Sequence, residues 1–449
     1  MSITITPEYQ QALDLILQGK NVFIHGGPGT GKSTFIEELV KRLHAQTAGK
    51  NVILLAPTGV AALRIGGQTL HSYFQLPFHD IYAEPERQVK RLLRRKFRAA
   101  NLLIIDEISM VRADVFDRIS QLMCELSDDE VAEPFAGKQV LLIGDLYQLP
   151  PVVKLPRHET DVQTLADMSP QDRLFLQNYP NGPYVFNTKC YPALHLHHVR
   201  FTQVFRQNDR EFIDHLSALI TDDRPRVRAA IAYFNKRCLP APQQAVCLCA
   251  RRNDTSHINQ TELQKLTTPE IQIPAEYSKN PHHRRDWNEE DKCPAPRLLK
   301  LKVGARVMML LNQPPLVNGS LGEVVGFNQG EDGTLESVRV RTQYGDQDIE
   351  RHAWYQVTTN EQGRQEEDLS RYFRQFPLQL AWAVTIHKAQ GMSFDTCCIN
   401  LGERGAFCEG QAYVGLSRVR SIGGLFLKER LEEEDIMFDE RVQQFYKTL

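Results

Sequence analysis

GGPGTGKST, Gly26 to Thr34, decides the fold class, because it follows an apolar strand-like run (Asn21 to His25) and opens a helix-like run (Phe35 to Leu43). Strand, glycine-rich turn and helix in that order form the phosphate-binding P-loop pattern, and every residue type it needs is present. Gly26, Gly27, Gly29 and Gly31 let backbone N–H groups approach phosphate oxygens with no Cβ in the way, and the helix that follows turns its positive end to the anion. Lys32 reaches the β- and γ-phosphates as a point charge, and Ser33 offers a hydroxyl to Mg²⁺. Pro28, Thr30 and Thr34 belong to the same cofactor-binding stretch. The loop leaves open what work the nucleotide drives.

Upstream, Thr6-Pro7-Glu8 reads as a helix start with Thr6 as N-cap, followed by Leu13, Leu15 and Ile16 on the apolar side. Gln10 and Gln11 lie on this helix. An amide can pair with the donor and acceptor edge of adenine, and equally can be a solvated helix glutamine; spacing does not choose.

Downstream, the strand Asn51 to Ala56 leads into Pro57-Thr58-Gly59 and then GGQTLHSYF, Gly66 to Phe74. Small residues and hydroxyls directly after a strand's carboxyl end suit a ligand at the sheet's rim. Tyr73 and Phe74, beside His71 and Ser72, have the chemistry to stack on bases, against the plainer reading as core. RQVKRLLRRKFR, Arg87 to Arg98, carries seven basic residues. Val89, Leu92, Leu93 and Phe97 fall at helical spacing and define its buried face, which leaves the charges outward as a solvated surface or a phosphate-tracking one.

LLIIDEISM, Leu102 to Met110, reads as a buried strand ending in carboxylates, which are costly there unless a cation or a water needs them. Asp106 is expected to hold Mg²⁺, and Glu107 to polarise the attacking water as base. The next strand, QVLLIGD, runs into Leu146-Tyr147-Gln148-Leu149-Pro150-Pro151, where Gln148 is placed to sense a γ-phosphate. These elements complete a parallel α/β nucleotide domain.

A second set of α/β elements is read from the strand-like HLHHVRF (His195 to Phe201) and Phe205-Arg206-Gln207 onward, through the strand AVCLCA (Ala245 to Ala250). Glu276 to Arg297 is dense in proline, histidine and charge and reads as an exposed insertion, whose His282-His283 pair lacks the partners of a metal site. From Lys300 to about Val357 short alternating strands with glycine turns predict a small antiparallel β-barrel interrupting the α/β pattern. That pattern returns in AWAVTIHKAQGMSFD, CCINL, GQAYVGLSRV and GLFLKE. At 449 residues the chain suggests two to four domains, and 53 Lys and Arg against 55 Asp and Glu leave any polyanion site to be local. Nine cysteines without zinc spacing read as reduced residues of a cytoplasmic protein, and neither an export pattern nor a membrane-length apolar run is present.

GGPGTGKS, APTGVAA with GGQTLHS, DEISM, GDLYQLPPV, FRQ, LVNGSLGEVVGF, TIHKAQG and YVGLSR occur in an order that resembles the PIF family of superfamily 1 DNA helicases, close to its RecD-like branch. The likeness spans nearly the whole chain, and IHKAQG with GDLYQLPPV are its specific motifs. The resemblance implies an α/β fold of two RecA-like parallel-sheet domains with the inserted barrel, divided as 1–200 (with a wedge-type insertion about 66–98), 201–300 with 376–449, and 301–375 for the barrel. It implies ATP and Mg²⁺ as cofactors and movement 5′ to 3′ on single-stranded DNA, with ss/ds junctions and G-quadruplexes as further partners. A monomer without membrane contact, nucleoid-associated in a bacterium, and a minimal helicase core are also implied. By the same resemblance Gln10 reads adenine, although the family's glutamine often stands where this chain has Tyr9. Arg206 and Arg418 reach the γ-phosphate from the second domain, opposite Lys32, Ser33, Asp106, Glu107 and Gln148. Pro57, Thr58, Gly59, His71, Ser72, Phe74, Thr385, His387 and Lys388 line the DNA groove, and Gln390-Gly391 couple it to the nucleotide. The rival reading is a P-loop switch or remodelling ATPase, which has no need of the groove motifs.

Overall fold

In the computed structural model, which describes residues 5–46, 51–76, 81–82, 85, 87–127, 133–153, 170–207, 209–278, 293–311, 313–316, 318–359 and 365–449, the P-loop sits at the first crossover of a parallel sheet. Thr6 caps α1 (Pro7–Leu17) by accepting from the Tyr9 amide, and Tyr9, Ala12, Leu13 and Ile16 form its buried side. There follow β1 (Val22–His25), α2 (Lys32–Gln46), β2 (Val52–Ala56), α3 (Gly59–Arg64), β3 (Gln68–Thr69), α4 (Leu70–Phe74), α5 (Arg87–Ala99), β4 (Leu102–Ile105), α6 (Ala113–Glu125), β5 (Gln139–Gly144) and β6 (His197–Arg200). The strands lie in the order β3-β2-β4-β5-β1-β6, all parallel. Every residue of β1 and β4 is buried, as expected for strands covered on both faces.

Two expectations are corrected here. The stretch read as opening the second set of elements instead closes the first sheet: β6 pairs with β1, Val22 opposite His197, as an edge strand. On α5, Leu93 and Phe97 are buried as the spacing predicts, but Lys96 is buried with them at 2% exposure. Its ammonium donates to the Tyr73 carbonyl at 2.9 Å and lies 4.7 Å from the Tyr73 ring centroid, so the charge is met inside by a carbonyl and a π-face.

The second lobe begins with helices Arg210–Ala218 and Arg224–Asn235, then β7 (Val246–Cys249) and helix Arg252–Lys265. The chain leaves it for β8 (Ile271–Pro274), β9 (Glu276–Tyr277), β10 (Leu298–Leu301), β11 (Arg306–Met309), β12 (Leu321–Gln329), β13 (Leu335–Thr342), β14 (Gly345–Glu350), β15 (His352–Thr359), β16 (Gln365–Gln375) and β17 (Leu378–Leu380). It returns for β18 (Ala383–Thr385), β19 (Cys397–Asn400), helix Gln411–Leu416 and β20 (Leu425–Leu427), and ends in helix Glu440–Lys447. The lobe's own sheet is parallel, in the order β18-β7-β19-β20.

The insert comprises antiparallel sheets ordered β14-β13-β12-β11-β17, β15-β16-β9 and β10-β8. It reaches beyond the expected 301–375, because Leu301 pairs with Ile271, Phe373 with Tyr277, and Val307 with Leu380. His282 and His283 lie outside the described residues. No disulfide joins any of the nine cysteines, and no helix among the described residues is long and apolar enough to cross a membrane.

Candidate functional site

Gly29 and Gly31 carry φ of 77° and 83°, a left-handed backbone that suits glycine and curls the loop at the end of β1. Lys32 opens α2, and its ammonium donates back to the Gly26 and Gly27 carbonyls at 2.6 and 2.9 Å. Burial pushes its pKa down, opposed by Asp145, Glu107 and Asp106. Pro28 and Thr30 are buried, Gly27 and Ser33 half-buried, and Thr34 exposed. The α1 side chain that reaches this loop is Tyr9, whose hydroxyl meets the Gly31 carbonyl at 3.4 Å. Gln10 is exposed and donates to Asp14 at 2.8 Å, so the structure ties the expected adenine reader to its own helix.

Asp106 and Glu107 follow β4 at 2% and 7% exposure, and Glu107 itself is left-handed at φ 50°. One guanidinium nitrogen of Arg64, Nη2, donates to Asp106 at 2.8 Å and to Glu107 at 3.0 Å. Burial raises both carboxyls. Arg64 and Lys32 outweigh burial at Glu107 and hold it below its usual range, whereas Asp106, repelled by Glu107, stays raised despite Arg64. After β5, Gln148 is buried and donates to Asp145 at 3.2 Å, and Tyr413 of the second lobe donates to the same Asp145 oxygen at 3.4 Å. Leu149, next in line, is packed in the second lobe's hydrophobic core.

The connection from β6 into the second lobe, and that lobe itself, meet this wall closely. Phe205 donates its amide to the Gly29 carbonyl at 2.8 Å, and a Cβ at Gly29 would collide with the Arg206 side chain. The Arg206 guanidinium donates to the Ser417 carbonyl at 3.3 Å, and its pKa is lowered to about 10 by burial and by Arg64. Arg418 is buried at 1% exposure and is held within its own lobe, donating to Val414 O at 2.8 Å and Ser417 Oγ at 2.7 Å. Burial and Arg206 lower it to about 9. Gln390 donates to Glu107 Oε2 at 2.9 Å, and Gly391 packs against the Arg64 guanidinium.

The groove residues divide. Thr58, Glu107, His387 and Gln390, with Ala61 and Met110, line one small cleft between the lobes. Thr58 caps α3 by accepting from the Ala61 amide, between Pro57 and an exposed Gly59. His71 and Ser72 are half-buried on α4, and Lys388 is exposed. Burial lowers the His387 pKa, with Arg252 adding to it, and the ring stacks on Phe407 with centroids 6.1 Å apart. Thr385 is buried and its hydroxyl caps the turn at the Lys388 amide. Phe74 is a correction: with Tyr73 it is wholly buried in the first lobe's core, at 0% and 1% exposure, so neither ring is a stacking platform.

The donor set suits a magnesium nucleotide. Ser33 stands in the first turn of α2 behind the two glycines of positive φ, Asp106 follows β4, which β5 separates from β1, and beside Glu107 the buried Gln390 Oε1 and Arg64 Nε have no hydrogen-bond partner among the described residues. Sequence reading missed Arg64, Tyr413 and Asp145. Asp145 follows a strand as Asp106 does, which is a legible signal; nothing in APTGVAALR marks its last residue as a partner of carboxylates 42 and 43 positions on.

Residues 4–171 match the family described as PIF1-like helicase, and 290–327 match the DNA helicase Pif1 2B domain. The ATP-dependent DNA helicase Pif1 of Bdellovibrio bacteriovorus is 32% identical over 99% of this chain and 92% of its own length. This chain belongs to the PIF1 helicase family. A rat ATP-dependent DNA helicase PIF1 is 34% identical over 99% of the chain, which spans 64% of that longer protein. A Bacteroides Pif1 in complex with ADP-AlF4 superposes with a TM-score of 0.77 at 31% identity, covering 100% of this chain and 97% of its own. The same lobes, sheets and insert therefore belong to a PIF1 fold, as the motifs implied.

Proposed function

We propose that this chain is an ATP-dependent DNA helicase that moves 5′ to 3′ on single-stranded DNA and opens duplex at ss/ds junctions, with G-quadruplexes as further substrates. The observation that carries it is the meeting at Glu107. Arg64 and Gln390 both donate to it, one from each lobe, and the cleft beside it is lined by Thr58 and His387 from the two halves of the groove. A relative from Bacteroides is described bound to ssDNA, and another structure of that group concerns unwinding at forked dsDNA.

Ser33 and Asp106 would hold Mg²⁺, which would supply neutralising charge at the phosphates. Lys32 binds the β- and γ-oxygens once its ammonium leaves the Gly26 and Gly27 carbonyls. Glu107 takes the proton of the attacking water. Arg206, already against Gly29, turns its guanidinium from Ser417 to the γ-phosphate, a charge-assisted contact made only when the lobes are closed. Each closure draws the groove residues of the lobes together, and alternating grip converts it to movement. Contacts to the sugar-phosphate backbone make that grip salt-sensitive and indifferent to sequence. The protein is proposed to act as a cytoplasmic monomer, nucleoid-associated in a bacterium. The test is the ATPase rate with and without single-stranded DNA, alongside strand separation on duplexes carrying a 5′ or a 3′ tail. Hydrolysis indifferent to DNA would instead support the remodelling ATPase.

A further inference from the structure

Arg64 is the last residue of α3, a helix of six residues whose first turn is capped by Thr58. Its guanidinium is in contact on three sides: Nη2 on Asp106 at 2.8 Å, the same nitrogen on Glu107 at 3.0 Å, and Gly391 of the second lobe against Nη1. Gln390, one residue before Gly391, takes the other Glu107 oxygen at 2.9 Å. Both oxygens of the base thus already accept hydrogen bonds, and one Asp106 oxygen is engaged by a cation. Each of these oxygens keeps a further acceptor site, so the obstacle is charge rather than occupancy: the guanidinium neutralises both carboxylates where a hydrated divalent ion would bind, and opposes the arrival of a proton on Glu107.

Thr58 lines the inter-lobe cleft together with His387 and Glu107. A strand that presses on Thr58 therefore acts on the start of a helix whose end grips the hydrolytic carboxylates. Six helical residues span only about 9 Å and move as one piece. We propose that Arg64 is a positioning residue that latches Asp106 and Glu107, competing with the magnesium nucleotide for them, and that single-stranded DNA seated on Thr58 withdraws it through α3. The DNA arm of this proposal rests on the helicase reading above; the competition for the carboxylates does not. Glycine at 391 is part of the device, since any side chain there would occupy the space of the guanidinium.

The experiment compares wild type with Arg64→Gln and Arg64→Lys, each first checked by thermal melting. Binding of a fluorescent, non-hydrolysable ATP analogue is titrated against Mg²⁺ without DNA. Unstimulated and single-strand-stimulated ATPase rates are then measured. Arg64→Gln is expected to bind the magnesium analogue roughly tenfold more tightly, the scale of one lost charge-assisted competitor. Its unstimulated rate should rise while its stimulated rate stays near wild type, so the stimulation ratio falls; Arg64→Lys, which keeps a cation there, should restore much of the ratio. Unchanged analogue affinity and unchanged unstimulated rate in Arg64→Gln overturn the proposal. So does an equal fall in both rates, which would make Arg64 a participant in hydrolysis. If wild type itself is not stimulated by DNA, the helicase reading fails, while the analogue titration still decides whether Arg64 competes for the carboxylates.

Discussion

Arg206 and Glu107 carry the sharpest consequences of single side chains. Arg206 is followed by buried Gln207, which donates to the Ser417 and Val419 carbonyls at 3.2 and 3.0 Å, so the backbone at 206 is fixed while its guanidinium has a single 3.3 Å bond to give up. Arg418 is not so placed, with its Nε and Nη2 held by its own lobe. Arg206→Ala is therefore expected to fold and to bind DNA while ATP turnover falls by at least ~10²-fold, a floor set below the arginine-finger range. Arg206→Lys should recover little, because an ammonium cannot reproduce the planar fork. DNA-stimulated ATPase near the wild-type rate in Arg206→Ala would sink this role. Glu107→Gln keeps the size of the side chain but removes the base, so a fluorescent ATP analogue should still bind while hydrolysis nearly stops. Residual hydrolysis at the wild-type rate in that variant would move the base elsewhere.

At the scale of the element, β1 carries the P-loop on one end and a buried histidine. His25 is 7% exposed, its ring 5.1 Å from that of Tyr446 and 6.3 Å from that of His198. Burial and then His198 lower its pKa to about 4 from the ordinary 6.5. Between those values the unfolded chain binds the proton and the folded chain does not, so stability from this group is complete above pH 6.5 and is lost as pH falls toward 4. The span corresponds to about 3 kcal/mol. Urea unfolding midpoints taken across that window should fall more steeply for wild type than for His25→Gln, and parallel curves would exclude the group. Elements of this kind were the most legible part of the chain. β1, β4 and β5 read as strands because a strand covered on both faces needs an unbroken apolar run. Read element by element, HLHHVRF opens the second set, because it marks an edge strand and says nothing of its neighbour; the division at residue 200 that the motifs imply places it in the first lobe, where it pairs with β1. α5 was right in its apolar face and wrong at Lys96, since hydropathy cannot see a carbonyl that waits for an ammonium. Arg64 was illegible for a similar reason: its partners are set by how α3 meets the end of β4, a matter of tertiary packing.

For the whole molecule, the question is what makes two lobes one machine. The chain's last helix, Glu440–Lys447, comes after the final strand of the second lobe, yet Val442 lies in the hydrophobic core of the first. Phe445 stacks on Phe186 with centroids 4.4 Å apart, and the Tyr446 hydroxyl accepts from the Leu146 amide at 3.1 Å. Leu149 makes the reverse trade, a first-lobe residue packed in the second-lobe core. Each lobe thus completes its interior with a piece supplied from the other side of the cleft, and both pieces flank the loop that carries Gln148. Unfolding one lobe strips apolar cover from its neighbour, so the two are expected to melt together. Phe445→Ala removes a half-buried ring and should cost about 2 kcal/mol, less than a fully buried phenylalanine. Phe445→Ala with Val442→Ala should go further and release the tail. Calorimetry is then expected to split one transition into two, the first lobe melting earlier, with ATP affinity weakened because Tyr446 no longer holds the backbone beside Asp145. A single transition that merely moves to lower temperature would mean that the inter-lobe contacts around Arg206 and Gln390, rather than the tail, couple the lobes.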